Sequence, residues 1–87
     1  MDSEPYEVVL TRRVRDQLED APPILRGYVA GMVAVLRVDP MAASSVFHIR
    51  RTGDAWTATF GAGLGFLTYW VLEPERIVVL LDLTWAG

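Results

Sequence analysis

The apolar positions of this chain are most concentrated near its C-terminus, in two nine-residue runs at 64–72 and 77–85. The polar segment Glu73-Pro74-Glu75-Arg76 separates them. Both runs are rich in β-branched and aromatic residues, so the pattern predicts a strand, a turn and a strand. Because each run is short and the segment between them carries three charges, this stretch is not a single membrane span.

Alternation along these strands assigns side chains to two faces, because successive residues of a strand point in opposite directions. The run 55–60 alternates cleanly and predicts that Trp56, Ala58 and Phe60 point into the core. With a strict period of two, the core face of the last two strands comprises Leu67, Tyr69, Val71, Ile77, Val79, Leu81, Leu83 and Trp85. The opposite face then carries Thr57, Thr59, Phe66, Thr68, Trp70, Val78, Leu80, Asp82 and Thr84.

The first half of the chain predicts one strand and two helices. Residues 6–10 alternate, and Thr11 can cap a helix over 12–20. Pro23 can open a second helix, which apolar spacings of three and four continue over 24–37. On the strand, Tyr6, Val8 and Leu10 share one face. In the second helix, Gly27 and Gly31 predict close packing against the first helix or the sheet, with a contact to a partner helix as the alternative.

Together these elements predict a small α+β protein. Its N-terminal strand is followed by an α-helical hairpin and then by a three- to four-stranded antiparallel sheet packed on the helices. The weakly alternating run 46–51 begins that sheet, and the whole chain, 1–87, forms one domain. Two helices cover only one face of so small a sheet, so we expect the other face to be an exposed binding surface. Its predicted members are Thr57, Thr59, Phe66, Thr68, Trp70 and Asp82.

Composition narrows the function. The apolar fraction of 52% indicates a folded core, and the lack of cysteine excludes disulfides and thiolate zinc sites. The net charge is −3, so nucleic acid could bind only through a local basic patch. No set of metal ligands and no cofactor motif is visible. The N-terminus lacks an apolar signal segment, and we therefore expect a cytoplasmic protein without a membrane span.

One local basic cluster, His48-Ile49-Arg50-Arg51, is a candidate site. On a strand, His48 and Arg50 share one face and Arg51 lies on the other. The functional interpretation is phosphate binding, in which the imidazole acts as acid or base and Arg50 stabilises charge on the phosphate. The alternative is a solvated edge strand whose charges prevent edge-to-edge association.

Two further charged features have alternative interpretations. Arg12, Arg13 and Arg15 precede three acids, so we expect ion pairs within the helix, with binding of an acidic partner as the alternative. Asp82 could accept a hydrogen bond from Thr57, Thr68 or Thr84, could pair with an arginine of another chain, or could simply keep the strand soluble.

Five short segments also occur in a characteristic order along the chain. They are Tyr6-Glu7-Val8, Leu36 to Pro40, Trp56 to Gly61, Phe66 to Tyr69 and Ile77 to Leu81. In order and spacing they resemble the RelE/ParE toxin superfamily of bacterial type II toxin–antitoxin systems, over roughly residues 6–85. The resemblance implies the fold described above and a cognate antitoxin as partner. It also implies that the chain inhibits translation by metal-independent cleavage of ribosome-bound messenger RNA.

The chain departs from the family at the catalytic positions. Thr57 and Phe66 stand where ribonuclease members have arginine, and no basic tail follows the last strand. Tyr69 matches the family tyrosine, but we expect it to be a core residue. The catalytic set therefore cannot be transferred by position, and His48, Arg50 and Arg51 are the set that we predict instead.

Two other functions remain open. The first is a non-catalytic binding module, either a ParE-like inhibitor of DNA gyrase or a degenerate toxin fold that acts through protein contacts. The second is a homodimer joined through the face that carries Phe66 and Trp70.

Overall fold

A computed structural model describes residues 4–41, 43 and 47–86 of the chain. In chain order its elements are β1 (Glu7–Leu10), α1 (Arg12–Asp20), α2 (Pro23–Val38), β2 (His48–Thr52), β3 (Ala55–Phe60), β4 (Gly65–Leu72) and β5 (Ile77–Trp85). The protein is α+β, as the sequence predicted. Position 46, where we expected the strand after the helices to begin, lies outside the described residues. No helix in the described part of the chain is long and apolar enough to cross a membrane.

The five strands form one mixed sheet in the order β1-β5-β4-β3-β2. The strands β2 to β5 pair antiparallel with their neighbours, whereas β1 pairs parallel with β5. The predicted antiparallel sheet of three or four strands was therefore too small, because the N-terminal strand joins it beside the C-terminal strand. Nothing local in the sequence specifies this pairing, which joins Glu7 to Ile77.

Local signals set the boundaries of both helices. Thr11 caps α1: its hydroxyl accepts from the Val14 N–H at 3.4 Å and donates to the Leu80 carbonyl at 2.8 Å. Pro23 is the first residue of α2, where the missing N–H costs no intrahelical hydrogen bond. At the other end of α2, the Arg37 carbonyl accepts from the Tyr6 N–H at 2.7 Å, which ties the helix end to the start of the sheet.

The core lies between the helices and one face of the sheet. The buried residues that α2 supplies recur every three or four positions, and they are Leu25, Val29, Met32 and Leu36. The sheet supplies Tyr6, Ala58, Phe60, Leu67, Tyr69, Val78, Leu80 and Leu83, and α1 supplies Val14. Trp56, Val71 and Trp85 are partly buried against this cluster. The predicted core faces of β3 and β4 are therefore confirmed, and Tyr69 is a core residue as expected.

The predicted core face of β5 was partly wrong, because this strand contains a β-bulge. Thr68 lies opposite Asp82, but the next residue, Tyr69, lies opposite Leu80, so Leu81 has no partner on β4. The extra residue reverses the side on which alternate residues lie. Val78 and Leu80 are therefore buried, although we assigned them to the open face. Ile77 and Val79 belong to the open face instead, whereas Leu83, which follows the bulge, is in the core as predicted.

A glutamine side chain completes one edge of β5. Beyond Leu80 this edge has no strand partner among the described residues, because β1 pairs only with Ile77–Leu80. Gln17 of α1 takes the place of a strand: its Nε2 donates to the Leu83 carbonyl at 2.7 Å, and its Oε1 accepts from the Leu83 N–H at 2.9 Å. The side-chain amide thus satisfies a donor and an acceptor that would otherwise be unpaired.

The glycines of the sheet and of the helix differ in their surroundings. A Cβ on Gly65 would lie 2.5 Å from Phe60 Cζ and 2.6 Å from the Thr84 carbonyl oxygen, so only glycine fits between these strands. The two helical glycines, Gly27 and Gly31, are exposed, and a Cβ on either would meet nothing within 4 Å. The predicted close packing at the helical glycines was therefore wrong.

We expect Gly65→Ala to lower the free energy of unfolding by about 2 kcal/mol, since the added methyl group overpacks a backbone contact that cannot rotate away. Gly31→Ala provides the matched control, because the same methyl group faces open space in the middle of α2 and should raise stability by up to about 1 kcal/mol. Urea denaturation of both variants measures the two effects. A neutral Gly65→Ala would contradict the close approach of β4 to Phe60 and Thr84.

We expect Gln17→Ala to destabilise the protein by about 1–2 kcal/mol, because it leaves the Leu83 N–H and carbonyl without their partner. The neighbouring Arg15→Ala is the control, as the Arg15 side chain is exposed and makes no hydrogen bond or ion pair in the described structure; its effect should stay within about 0.5 kcal/mol. Thermal unfolding of the two variants compares them. Equal stability would show that solvent replaces the amide without loss.

Candidate functional site

The open face of the sheet carries the predicted binding surface. Residues directly opposite each other in an antiparallel pair point to the same side. One cross-strand row contains Thr59, Phe66 and Thr84, and the next contains Thr57, Thr68 and Asp82. Trp70 lies opposite Val79 on the same face. The structure therefore brings all six predicted surface residues together on one face, and α1 reaches the β5 edge of this face through Arg13 and Gln17, which contact Asp82.

This face is more apolar than the sequence indicated. Its exposed large side chains are Val9 (38%), Phe66 (41%), Trp70 (42%) and Leu72 (38%). Sequence reasoning missed Val9 and Leu72, together with the partly buried Ile77 and Val79. Alternation along β1 predicts that Val9 and Tyr6 point to different faces of the strand. Only the pairing of β1 with β5 shows that the Val9 side belongs to the open face of the sheet. No signal in the sequence identifies the bulge that turns Val79 outward.

His48 and Arg50 lie at the β2 end of the same face. His48 is opposite Thr59 and Arg50 is opposite Thr57, so these two side chains extend the rows of the open face. Two residues along a strand span roughly 7 Å, which allows both side chains to reach one phosphate. Both side chains are exposed, and neither side chain makes a hydrogen bond or an ion pair within the described part of the chain. This arrangement confirms that they share one strand face.

Arg51 points to the opposite side of β2. Its guanidinium carbon lies 5.2 Å from the centre of the Trp56 ring, and its Nε donates to the Gly53 carbonyl at 3.1 Å. A cation over an aromatic face is attracted by the ring quadrupole, so this contact favours the observed position. Of the three residues predicted as a catalytic set, the structure therefore groups only His48 and Arg50.

Asp82 pairs with α1 of its own chain. Its Oδ1 accepts from Arg13 Nε at 2.6 Å and from Gln17 Nε2 at 3.2 Å, and its Oδ2 accepts from the Thr84 hydroxyl at 3.5 Å. Partial burial acts to raise the pKa of Asp82, but the hydrogen bonds from Arg13 and Gln17 and the charge of Arg13 outweigh it and lower this pKa. The hydrogen bond from Arg13 in turn raises the pKa of that guanidinium. The carboxylate is thus engaged in holding α1 on the sheet.

The ion pairs of α1 match the sequence prediction only in part. Arg12 lies 4.0 Å from Asp16, one helical turn away, as expected. Arg13 pairs with Asp82 of β5 rather than with an acid of its helix. One arginine of α1, Arg13, therefore makes a tertiary contact. The sequence of the helix did not indicate this contact.

An open groove of about 550 Å³ lies beside His48. Its other lining residues are Tyr28, Phe47, Thr59, Phe60, Gly61 and Ala62. The Tyr28 and Phe60 rings lie 5.8 Å apart, centre to centre, and form an aromatic wall. Gly61 has a φ of 62° and Gly63 a φ of 95°, which glycine adopts without strain, so the turn after β3 can close off this end of the groove.

Tyr6 and Tyr69 do not supply an acid or base to the open face. Burial raises the pKa of Tyr69 to about 12, and its side chain lies in the core. Tyr6 donates to Glu73, and this hydrogen bond is the main cause that raises the pKa of Tyr6. The Arg76 guanidinium lies 4.2 Å from the Tyr6 ring centre, so Tyr6, Glu73 and Arg76 join β1 to the turn before β5.

Within residues 4–41, 43 and 47–86, no three histidine, aspartate or glutamate side chains come close enough together to hold a metal ion. Comparisons of the chain with models of known protein families, with curated proteins and with solved structures found no match. The resemblance to RelE/ParE toxins therefore stays a prediction from the residues.

We expect the contribution of Asp82 to stability to disappear in acid. Because its pKa is lower in the folded than in the unfolded state, the stabilisation is complete above about pH 4, the ordinary aspartate value, and is lost as the pH falls through the folded-state pKa. Chemical denaturation of the wild-type chain and of Asp82→Asn at pH 7 and at pH 3 should show a stability difference that shrinks at the lower pH.

Arg13→Ala supplies the control for this pH effect. In that background Asp82→Asn should cost less stability, and the cost should depend less on pH, because the main partner of the carboxylate is gone. An unchanged difference in the Arg13→Ala background would contradict the assignment of the low pKa to this pair.

Proposed function

We propose that the chain is a toxin-like component of a type II toxin–antitoxin pair. The order of its elements supports this proposal: a strand, two helices and then antiparallel strands follow each other as the RelE/ParE resemblance implies. The resembling segments fall in β1, at the end of α2, and in β3, β4 and β5. The cognate antitoxin would be its protein partner.

The exposed His48–Arg50 pair is the observation that carries an enzymatic function. In the proposed reaction, His48 accepts the proton of an RNA 2′-hydroxyl while Arg50 holds the adjacent phosphate. The 2′-oxygen bonds to phosphorus, the bond to the 5′-oxygen breaks, and the leaving oxygen takes a proton from water. The products are a 2′,3′-cyclic phosphate and a 5′-hydroxyl end. Arg51 takes no part, since it lies on the other side of β2.

The second candidate is a non-catalytic binding module, and the exposed apolar face favours it. Val9, Phe66, Trp70 and Leu72 lie on one uncovered side of the sheet, and such a patch is typical of protein interaction surfaces. In this form the chain would hold DNA gyrase, another protein or a second copy of itself. The positions where ribonuclease members have arginine are occupied here by Thr57 and Phe66, which suits binding better than catalysis.

Expression of the chain in a bacterial host, with soluble protein confirmed, tests the shared proposal: we expect growth to slow. Mapping of messenger ends on ribosomes then separates the two candidates. For the enzyme, His48→Ala with Arg50→Ala should reduce cleavage by about a hundredfold or more, as expected when a general base is removed. Arg26→Ala, which removes an exposed arginine from α2, is the control and should cleave normally.

Three outcomes are informative. Normal growth at confirmed soluble levels contradicts the toxin proposal. Growth arrest without messenger cleavage, abolished by Trp70→Ala but not by the His48/Arg50 double variant, selects the binding module. Arrest with cleavage that the double variant retains contradicts the catalytic role of these two residues.

A further inference from the structure

The strand β2 has an unpaired outer edge. It pairs with β3 on one side, and among the described residues no strand lies on its other side. In an antiparallel pair, every second residue directs its N–H and carbonyl away from the partner strand. These groups can pair with one more extended segment, and strand addition of this kind is a common mode of peptide recognition.

The two sides of this edge differ in chemistry. On the open face, His48 and Arg50 are exposed and make no ion pair within the described structure, although the chain as a whole carries a net charge of −3. The edge is therefore a local basic region on an acidic protein. Carboxylates on an added segment would complement it, and the global charge would repel them only weakly because solvent ions screen distant charges.

The same edge borders two hollows to which apolar residues of the helix side contribute, although His48 and Thr59 of the open face also line the first. The groove of about 550 Å³ includes Phe47 and Tyr28 in its lining. A second hollow of about 160 Å³ is lined by Pro40, Met41, Ile49 and Trp56. Phe47 and Ile49 are two residues apart and both pack against the core, so the hollows follow one another along the helix side of the edge. Alternate side chains of an added strand would cover them.

We propose that β2 binds an extended segment of a partner protein in which acidic and apolar residues alternate. Its acidic side chains lie beside His48 and Arg50, its apolar side chains cover the two hollows, and its backbone pairs with β2. A strand has a side-chain period of two, so one alternating segment satisfies both sides of the edge. RNA would use His48 and Arg50 but neither the backbone groups of the edge nor the hollows. The inference goes beyond the proposed toxin function and does not require RNA cleavage.

A synthetic peptide of about eight residues, the length of a long strand, provides the probe. In this peptide glutamate alternates with leucine and valine, and a control peptide has the same composition with all glutamates in one block. Fluorescence anisotropy with the full chain should show binding of the alternating peptide at low salt, weaker binding at high salt, and at least about tenfold weaker binding of the block peptide.

Charge reversal at Arg50 tests the role of its positive charge in peptide binding. Arg50→Glu should weaken binding of the alternating peptide about tenfold, and it should strengthen binding of a matching peptide in which lysine replaces glutamate. The exposed Arg15→Glu is the control, because it changes the net charge by the same amount at a site on α1. Its effect on both peptides should be small.

Amide hydrogen exchange tests the backbone pairing. The alternating peptide should protect every second amide of β2 and leave the amides of β1 unchanged. The inference is overturned if the two peptides bind equally, if neither binds, if Arg15→Glu weakens binding as much as Arg50→Glu, or if no amide of β2 gains protection. None of these readouts involves RNA or cell growth, so failure here is distinct from failure of the proposed function.

Discussion

The structure depends on how one edge of β5 is completed. This strand pairs with β4 along its whole length, but β1 reaches only its first half, Ile77–Leu80. The second half has α1 beside it, where the Gln17 amide pairs with the Leu83 backbone and Arg13 pairs with Asp82. Buried backbone groups need partners, so the position of α1 follows from the short length of β1.

The bulge at Leu81 lies where the neighbour of β5 changes. Before it, Val78 and Leu80 point into the core, and after it Leu83 does. An added residue in a strand also increases local twist, which suits a strand that leaves a strand neighbour for a helix. The bulge leaves Asp82 on the open face, within reach of Arg13 in the first turn of α1 and of Gln17 one turn further along.

Both helices pack on one face of the sheet, which leaves the other face and the outer edge of β2 as the exposed parts of the sheet in the described structure. They are chemically distinct. The part near β1 and β5 is apolar and centres on Trp70, whereas the part near β2 is basic through His48 and Arg50. An RNA phosphate or a carboxylate suits the basic part, and an apolar protein surface suits the other. The proposed toxin function would use both kinds of contact, one with the target and one with the antitoxin.

Features that rest on local chemistry could be predicted from the amino-acid sequence. Side-chain period and backbone preference account for four such features. They are the Thr11 cap, the start of α2 at Pro23, the apolar face of α2 and the alternation of β3 and β4. The same alternation placed all six predicted surface residues, and the pair His48 and Arg50, on shared faces. These predictions needed only neighbours a few residues apart.

Features that depend on contact between distant segments of the chain are seen only in the tertiary structure. The pairing of β1 with β5 and the contact of Arg13 with Asp82 join residues that are 69 or more positions apart in the sequence. A periodic pattern along the chain does not specify contacts over such a separation. Packing likewise sets three local features. They are the bulge in β5, the exposure of Gly27 and Gly31, and the close contacts around Gly65. A period of two assumes an unbroken ladder, and the bulge at Leu81 breaks that ladder at the point where the neighbour of β5 changes.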